Sequence, residues 1–436
     1  MFHLCSFVAM ALFRIVALLI TLASLRVEAA ELDALIGRDD LWQTSRADFV
    51  QQNRELGFRW VSAAQDAAET MAPGLTLFGN RVYQTTARFD ADKLKQLTVS
   101  LYNRGDAGEM PKEKFDALLR ATVEKLTAFT HAQFTARGKD AASAVKAEGL
   151  SWQNGTSNFV LEYSFTREVK TRNIPYRAEF MRLEITPVEK PQGLLSSAFA
   201  AKSQKFTGQS HVKRDPSGDV LLTDVPMVDQ GEKGYCVVAS AERVMRYYGT
   251  RADEHELAQI ANTSAAAGTS NEAMFDALKK LSNRLRVKIR TIENFDVKHF
   301  LDLIKDYNHI AKRQHEQEID TSSHMLNVSA IYAQMNPDVL REARTRNKSE
   351  PDRFLREVQT HIDDGIPLLW SVMLGIVHEE KAPQALGGHM RLIIGYNAKT
   401  REIMYSDSWG LGHELKRMAL DDAWTITTGL NTIEPL

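Results

Sequence analysis

A chain of 436 residues has room for two or three domains, and its 44% hydrophobic and 25% charged residues give the balance of a folded protein, which excludes disorder as the main theme. With 54 Lys and Arg against 56 Asp and Glu the formal charge is -2, so no bulk attraction to nucleic acid or to an acidic membrane is built in. Two cysteines cannot make a disulfide scaffold, a multi-cysteine zinc site or an iron–sulfur site.

Residues 1–29 read as a secretory signal peptide. Arg14 supplies the basic flank, residues 15–25 the short apolar run, and Ala29 and Ala30 the small side chains of a cleavage site. The uninterrupted apolar run is too short to span a bilayer, so the expectation is export to the periplasm or beyond, with no stable membrane insertion after cleavage. Cleavage removes Cys5 and leaves Cys236 as the single cysteine of the mature chain.

Residues 31–186 form an N-terminal domain of mixed helix and strand and of unknown function. Leu118, Leu119, Val123 and Leu126 recur at helical spacing, whereas Leu97, Val99 and Leu101, and again Phe159, Leu161, Tyr163 and Phe165, alternate as strands do. Pro, Gly and Ser crowd residues 187–219, the signature of a linker. The C-terminal domain, 220–436, opens with a helix after Cys236 that stops at Gly249. Asp253 and Glu256 fit a capping box, and Ser270 caps a further helix. A charge-rich helical insertion covers about 296–362. Strands follow at 367–373, 389–396 and 402–407, the last two joined by a short hairpin through residues 397–400. Helices first and strands afterwards give an α+β domain with an antiparallel sheet.

Cys236 lies where a glycine-containing loop turns into a helix, and the free amides of a helix N-terminus favour a thiolate. A nucleophilic thiolate needs an imidazole to share its proton, and His389, entering the hairpin after Gly387 and Gly388, is the best candidate. Asp407 falls one residue out of simple register with His389 across that hairpin, so a bulge or twist lets it orient the ring and stabilise its protonated form. Gln230, six residues before Cys236, brings a side-chain amide donor beside the Cys236 backbone N–H, and two such donors make an oxyanion hole.

Gln230 and Cys236 opening a helix, Gly388 and His389 beginning a strand, and Asp407-Ser408-Trp409-Gly410 together resemble the papain-like cysteine peptidases. The segment from Val225 to Gln230 and the Gly268-Thr269-Ser270 stretch are closer to the bacterial branch related to bacteriocin-leader-cleaving peptidases. The resemblance covers about 220–430 and implies Cys236 as nucleophile, His389 as general base and acid, Asp407 as imidazole orienter and Gln230 as oxyanion residue. Val237 departs from the tryptophan that follows the nucleophile in plant papains. The implied protein is an exported thiol hydrolase acting on a peptide or protein substrate, without cofactor or metal, whose N-terminal domain binds substrate or regulates the peptidase. Two alternatives stay open at this point: an acyltransferase or deamidase using the same thioester chemistry, and an inactive, secreted peptide-binding protein on the same fold.

Overall fold

The computed structural model describes residues 30–138, 145, 147–188, 206–231, 234–250, 254–263, 270–321, 327–380, 382–384 and 386–436. The expected leader, most of the expected linker, Asp253 and the Gly268-Thr269 pair lie outside the described residues.

Mixed helices and antiparallel sheets make up the chain, and two eight-stranded sheets organise it. The first contains β1 (Arg59–Trp60), β2 (Ala67–Thr70), β3 (Gln84–Asp90), β4 (Lys93–Asn103), β5 (Thr135–Arg137), β6 (Glu148–Gln153), β7 (Ser157–Thr166) and β8 (Arg177–Pro187). Their spatial order is β1-β2-β3-β4-β8-β7-β6-β5, every pairing antiparallel. Strand alternation sends Leu97, Val99 and Leu101 of β4 to one face, where Phe115 and Leu126 of helix α1 (Lys112–Thr130) complete a core. Thr98 and Ser100 turn the other way, toward the C-terminal domain.

The second sheet contains β9 (Val212–Arg214), β10 (Asp219–Leu222), β11 (Val287–Glu293), β12 (Leu368–Leu374), β13 (Gly387–Asn397), β14 (Glu402–Ser406), β15 (Lys416–Ala419) and β16 (Thr427–Pro435). Its main path runs β9-β10-β13-β12-β16-β11, with β14 and β15 added along the other edge of β13. Part of the stretch read as a linker is therefore structured, since β9 already belongs to this sheet.

Helix α2 (Cys236–Tyr247) packs across β13 and is buried along most of its length by Val237, Val238, Ala241, Val244 and Met245. Helices α3 (Glu254–Ile260) and α4 (Asn271–Leu285) follow, the latter capped as expected by Ser270, whose hydroxyl accepts the Ala273 N–H. The charge-rich stretch folds as α5 (Val297–Gln314), α6 (Val328–Tyr332), α7 (Pro337–Thr345) and α8 (Ser349–Asp363). Side chains of Asp296, Asn327 and Asn336 cap the first three, and Pro337 stands at the first position of α7, where its missing N–H has no intrahelical partner to lose. A short α9 (Leu420–Ile426) precedes β16.

The β13–β14 hairpin determines where the chemistry falls. Asn397 pairs with Glu402 and Tyr396 with Ile403, but a bulge between Ile393 and Gly395 shifts the register so that Leu392 faces Ser406. Gly395 at this bulge presses on β10, and a Cβ there would stand 2.6 Å from the Val220 carbonyl oxygen. Gly395→Ala should therefore cost about 1–3 kcal/mol of stability in urea unfolding. An unchanged midpoint would mean that β10 yields freely and the bulge is not held from that side.

Candidate functional site

His389 and Arg391 sit two residues apart on β13 and so share one face of the sheet, and the bulge brings Asp407, the residue after β14, across from them. His389 Nε2 lies 3.1 Å from Asp407 Oδ1. Arg391 Nε donates to the same oxygen at 2.8 Å, and Lys416 Nζ stands 3.4 Å from Oδ2. The side chains of His389, Arg391 and Asp407 are fully buried. Arg391 in turn donates twice to Glu379, at 3.0 and 2.8 Å, and Tyr405 donates to Glu379 at 2.7 Å. The indole of Trp409 stacks on the His389 ring, centroids 4.3 Å apart and planes 10° from parallel.

Cys236 is half-buried at the first turn of α2. It lines a cleft with His389, Ser270, Asn271, Phe275 and Ser371. Burial alone would raise its thiol, but the hydrogen bond and charge of His389, with the backbone N–H groups of Met390 and Val237, bring it below the ordinary value. His389 moves in the complementary direction: burial opposes its charged form, and contacts with Asp407 and Cys236 raise it above the ordinary imidazole value. Burial would also raise Asp407, yet the His389 hydrogen bond and the charges of Arg391 and Lys416 draw it down to about 2.

Gln230 is buried against Ser408. Its backbone N–H donates to the Ser408 carbonyl at 2.8 Å and its Oε1 accepts the Ser408 hydroxyl at 2.6 Å. It meets the site through that residue and is not among the described residues lining the cleft. Arg243 of α2 ties the parts together from beneath. It donates to the carbonyls of Pro226 (2.7 Å) and Asp407 (2.9 Å) and to the Ser406 hydroxyl (2.5 Å), so the end of β14 with Asp407 after it and the segment leading to Gln230 hang on the helix that begins at Cys236.

The sequence motifs point to Cys236, His389, Asp407 and Gln230 but not to Arg391, Glu379, Lys416 and Arg243. Arg391 carried a signal, since a residue two beyond His389 in a strand must share its face. Glu379 and Lys416 come from segments with no such relation to the motif.

A nucleophile beside an imidazole that is itself paired with a buried carboxylate can perform acyl transfer through a thioester. Residues 222–431 match the model of the Peptidase_C39 like family. The C-terminal domain matches this peptidase family over nearly its whole length. The chain is also similar in structure to xylellain, a cysteine protease from Xylella fastidiosa, at 12% identity and a TM-score of 0.28, over 51% of this chain and 90% of that one. No curated protein sequence matches the chain. In the peptidase domain no group of three or more His, Cys, Asp or Glu among the described residues is arranged to hold a metal ion. No described helix is long and apolar enough to cross a membrane.

Because Asp407 is depressed when folded, its charge stabilises the peptidase domain fully above about pH 4, and that contribution disappears as the pH falls through about 2. Asp407→Asn, which strips a buried acid from Arg391, should destabilise by about 3–5 kcal/mol at neutral pH. Urea unfolding at stepped pH should show the gap to wild type narrowing below about pH 4. A gap independent of pH would contradict the ionised Asp407.

Proposed function

We propose that the protein is an exported cysteine peptidase that hydrolyses peptide bonds with Cys236, His389, Asp407 and Gln230. The observation that carries this reading is the buried His389–Asp407 contact beside a half-buried thiol that His389 itself draws down. Residues 1–29 would be the leader, 31–186 the N-terminal domain, 187–219 the linker, whose last part already joins the peptidase-domain sheet, and 220–436 the peptidase domain with its helical insertion at about 296–362.

In this mechanism Cys236 and His389 rest as thiolate and imidazolium, an arrangement favoured by the opposite directions in which the two groups shift. The thiolate attacks the carbonyl carbon of the scissile bond. The Cys236 backbone N–H and the Gln230 side-chain amide stabilise the oxyanion, with the Ser408 hydroxyl holding Gln230 through Oε1. Collapse of the tetrahedral intermediate breaks the C–N bond as the imidazolium protonates the leaving amine, forming a thioester. His389, now neutral, takes a proton from water, whose oxygen attacks the thioester. The thiolate then departs and the acid product is released. Throughout, Asp407 holds the ring through Nε2, so the other nitrogen, Nδ1, serves the reactants.

Iodoacetamide should modify Cys236 rapidly well below the ordinary thiol range of about pH 8.5, with the rate falling in His389→Ala. On a peptide library, Cys236→Ala should abolish cleavage and Gln230→Ala should lower kcat by about 100- to 1000-fold. A wild-type thiol that labels only as an ordinary cysteine would overturn the reading.

A further inference from the structure

The N-terminal domain meets the peptidase domain along a polar band. Arg59 reaches Asp229 at 3.3 Å, Arg88 reaches Glu242 at 3.5 Å, Arg182 reaches Glu256 at 3.3 Å and Arg177 reaches Asn262 at 2.8 Å. None of the described residues lining the cleft of Cys236 and His389 belongs to residues 30–188. A prodomain that inhibits by filling the cleft would place its own side chains there. This one docks instead against the elements around the start of α2.

One contact of the band lies directly beside the nucleophile. Asn103, the last residue of β4, caps the short helix Arg104–Ala107 by accepting the Gly105 N–H at 2.8 Å. The same oxygen accepts the hydroxyl of Tyr235 at 2.9 Å, while the Asn103 amide nitrogen meets His255 Nδ1 on α3. Asn103 and Tyr235 are 2% and 1% exposed, so neither group has water as an alternative partner. Gly105 makes the approach possible, because a Cβ there would stand 1.5 Å from the Tyr235 hydroxyl oxygen. Tyr235 is the residue before Cys236, and its carbonyl accepts the Ala239 N–H at 2.8 Å to open α2. Its ψ of 10° sets the plane of the peptide that carries the Cys236 N–H.

We infer that Asn103 is a positioning residue for the nucleophile: by fixing the Tyr235 side chain it orients the Cys236 amide and the first turn of α2, which makes the N-terminal domain a permanent part of the working site and not a removable inhibitor. The inference rests on the peptidase reading above. Tyr235 is a donor throughout the working range, since burial pushes its hydroxyl far above the ordinary phenol value. The lock therefore acts through geometry alone, and it joins two domains at the residue adjacent to the reacting sulfur.

The test uses the full chain and measures the rate of Cys236 alkylation by iodoacetamide from about pH 5 to 9, together with kcat and KM on a cleaved peptide. The variants are Asn103→Ala, Tyr235→Phe, the double variant, and Arg177→Ala as a break in the same interface away from Tyr235. Asn103→Ala and Tyr235→Phe should each slow alkylation at pH 6 by about tenfold and lower kcat by about 10- to 100-fold at unchanged KM. The double variant should be no worse than either single one, because both remove the same contact, and Arg177→Ala should resemble wild type. If Asn103→Ala does not fold, Tyr235→Phe, which deletes one hydroxyl, decides alone. Wild-type alkylation profiles and kcat in the two single variants would overturn the positioning role and leave the peptidase reading intact. A wild-type thiol with no reactivity below the ordinary range would instead overturn the peptidase reading, and the positioning role with it.

Discussion

A carboxylate with no exposed surface is the constraint around which the C-terminal half of this protein is built. Taking the Asp407 charge out of water costs several kcal/mol unless other charges and donors replace the solvent. Here His389, Arg391 and Lys416 replace it on the side-chain oxygens, while Arg243 holds the backbone carbonyl of the same residue. Glu379 then balances Arg391. Asp407 and Glu379 face Arg391 and Lys416, with the buried Arg243 guanidinium beneath, so the cluster carries one positive charge before His389 takes a proton. A thiolate–imidazolium pair adds two opposite charges, so forming it imports no further net charge into a low-dielectric interior.

The same cluster explains why elements distant in sequence are held in mutual register. Helix α2 contributes both Cys236 at its first turn and, two turns later, Arg243, whose guanidinium bonds the end of β14. Displacing the helix would move the sulfur and uncouple the buried arginine together. Gln230 and Ser408 form a second tie, through backbone and side chain, between the loop before the helix and the segment after the hairpin. From outside, the N-terminal sheet adds its own contacts to Tyr235 and Asp229, on either side of the loop that leads into the helix.

Much of this was legible in the sequence because it is periodic or locally punctuated. The alternation of Leu97, Val99 and Leu101 and the stop at Gly249 are local signals, and both match the elements formed. The spacing of His389 and Asp407 called for a bulge or twist in the hairpin, and a bulge stands between Ile393 and Gly395. Nothing local announced its position, since the need for glycine comes from β10, more than a hundred residues earlier in the chain. Lys416 and Glu379 were illegible for the same reason: their partners are set by tertiary folding and not by spacing. Asn103 carries no local signal, and its contact with Tyr235 joins residues 132 positions apart.

The indole of Trp409 lying flat on His389 has a consequence for the direction of proton traffic. An imidazole with room to turn about its Cβ–Cγ bond can exchange its two nitrogens, carrying a proton from one side of the ring to the other. The stacked indole, together with the Asp407 contact at Nε2, removes that freedom. In the proposed cycle the proton taken from the thiol and the proton given to the leaving amine must then pass through one nitrogen on one face of the cleft. Departing amine and arriving water are thereby obliged to use the same position in turn, so the release of the first product opens the entry for the second reactant.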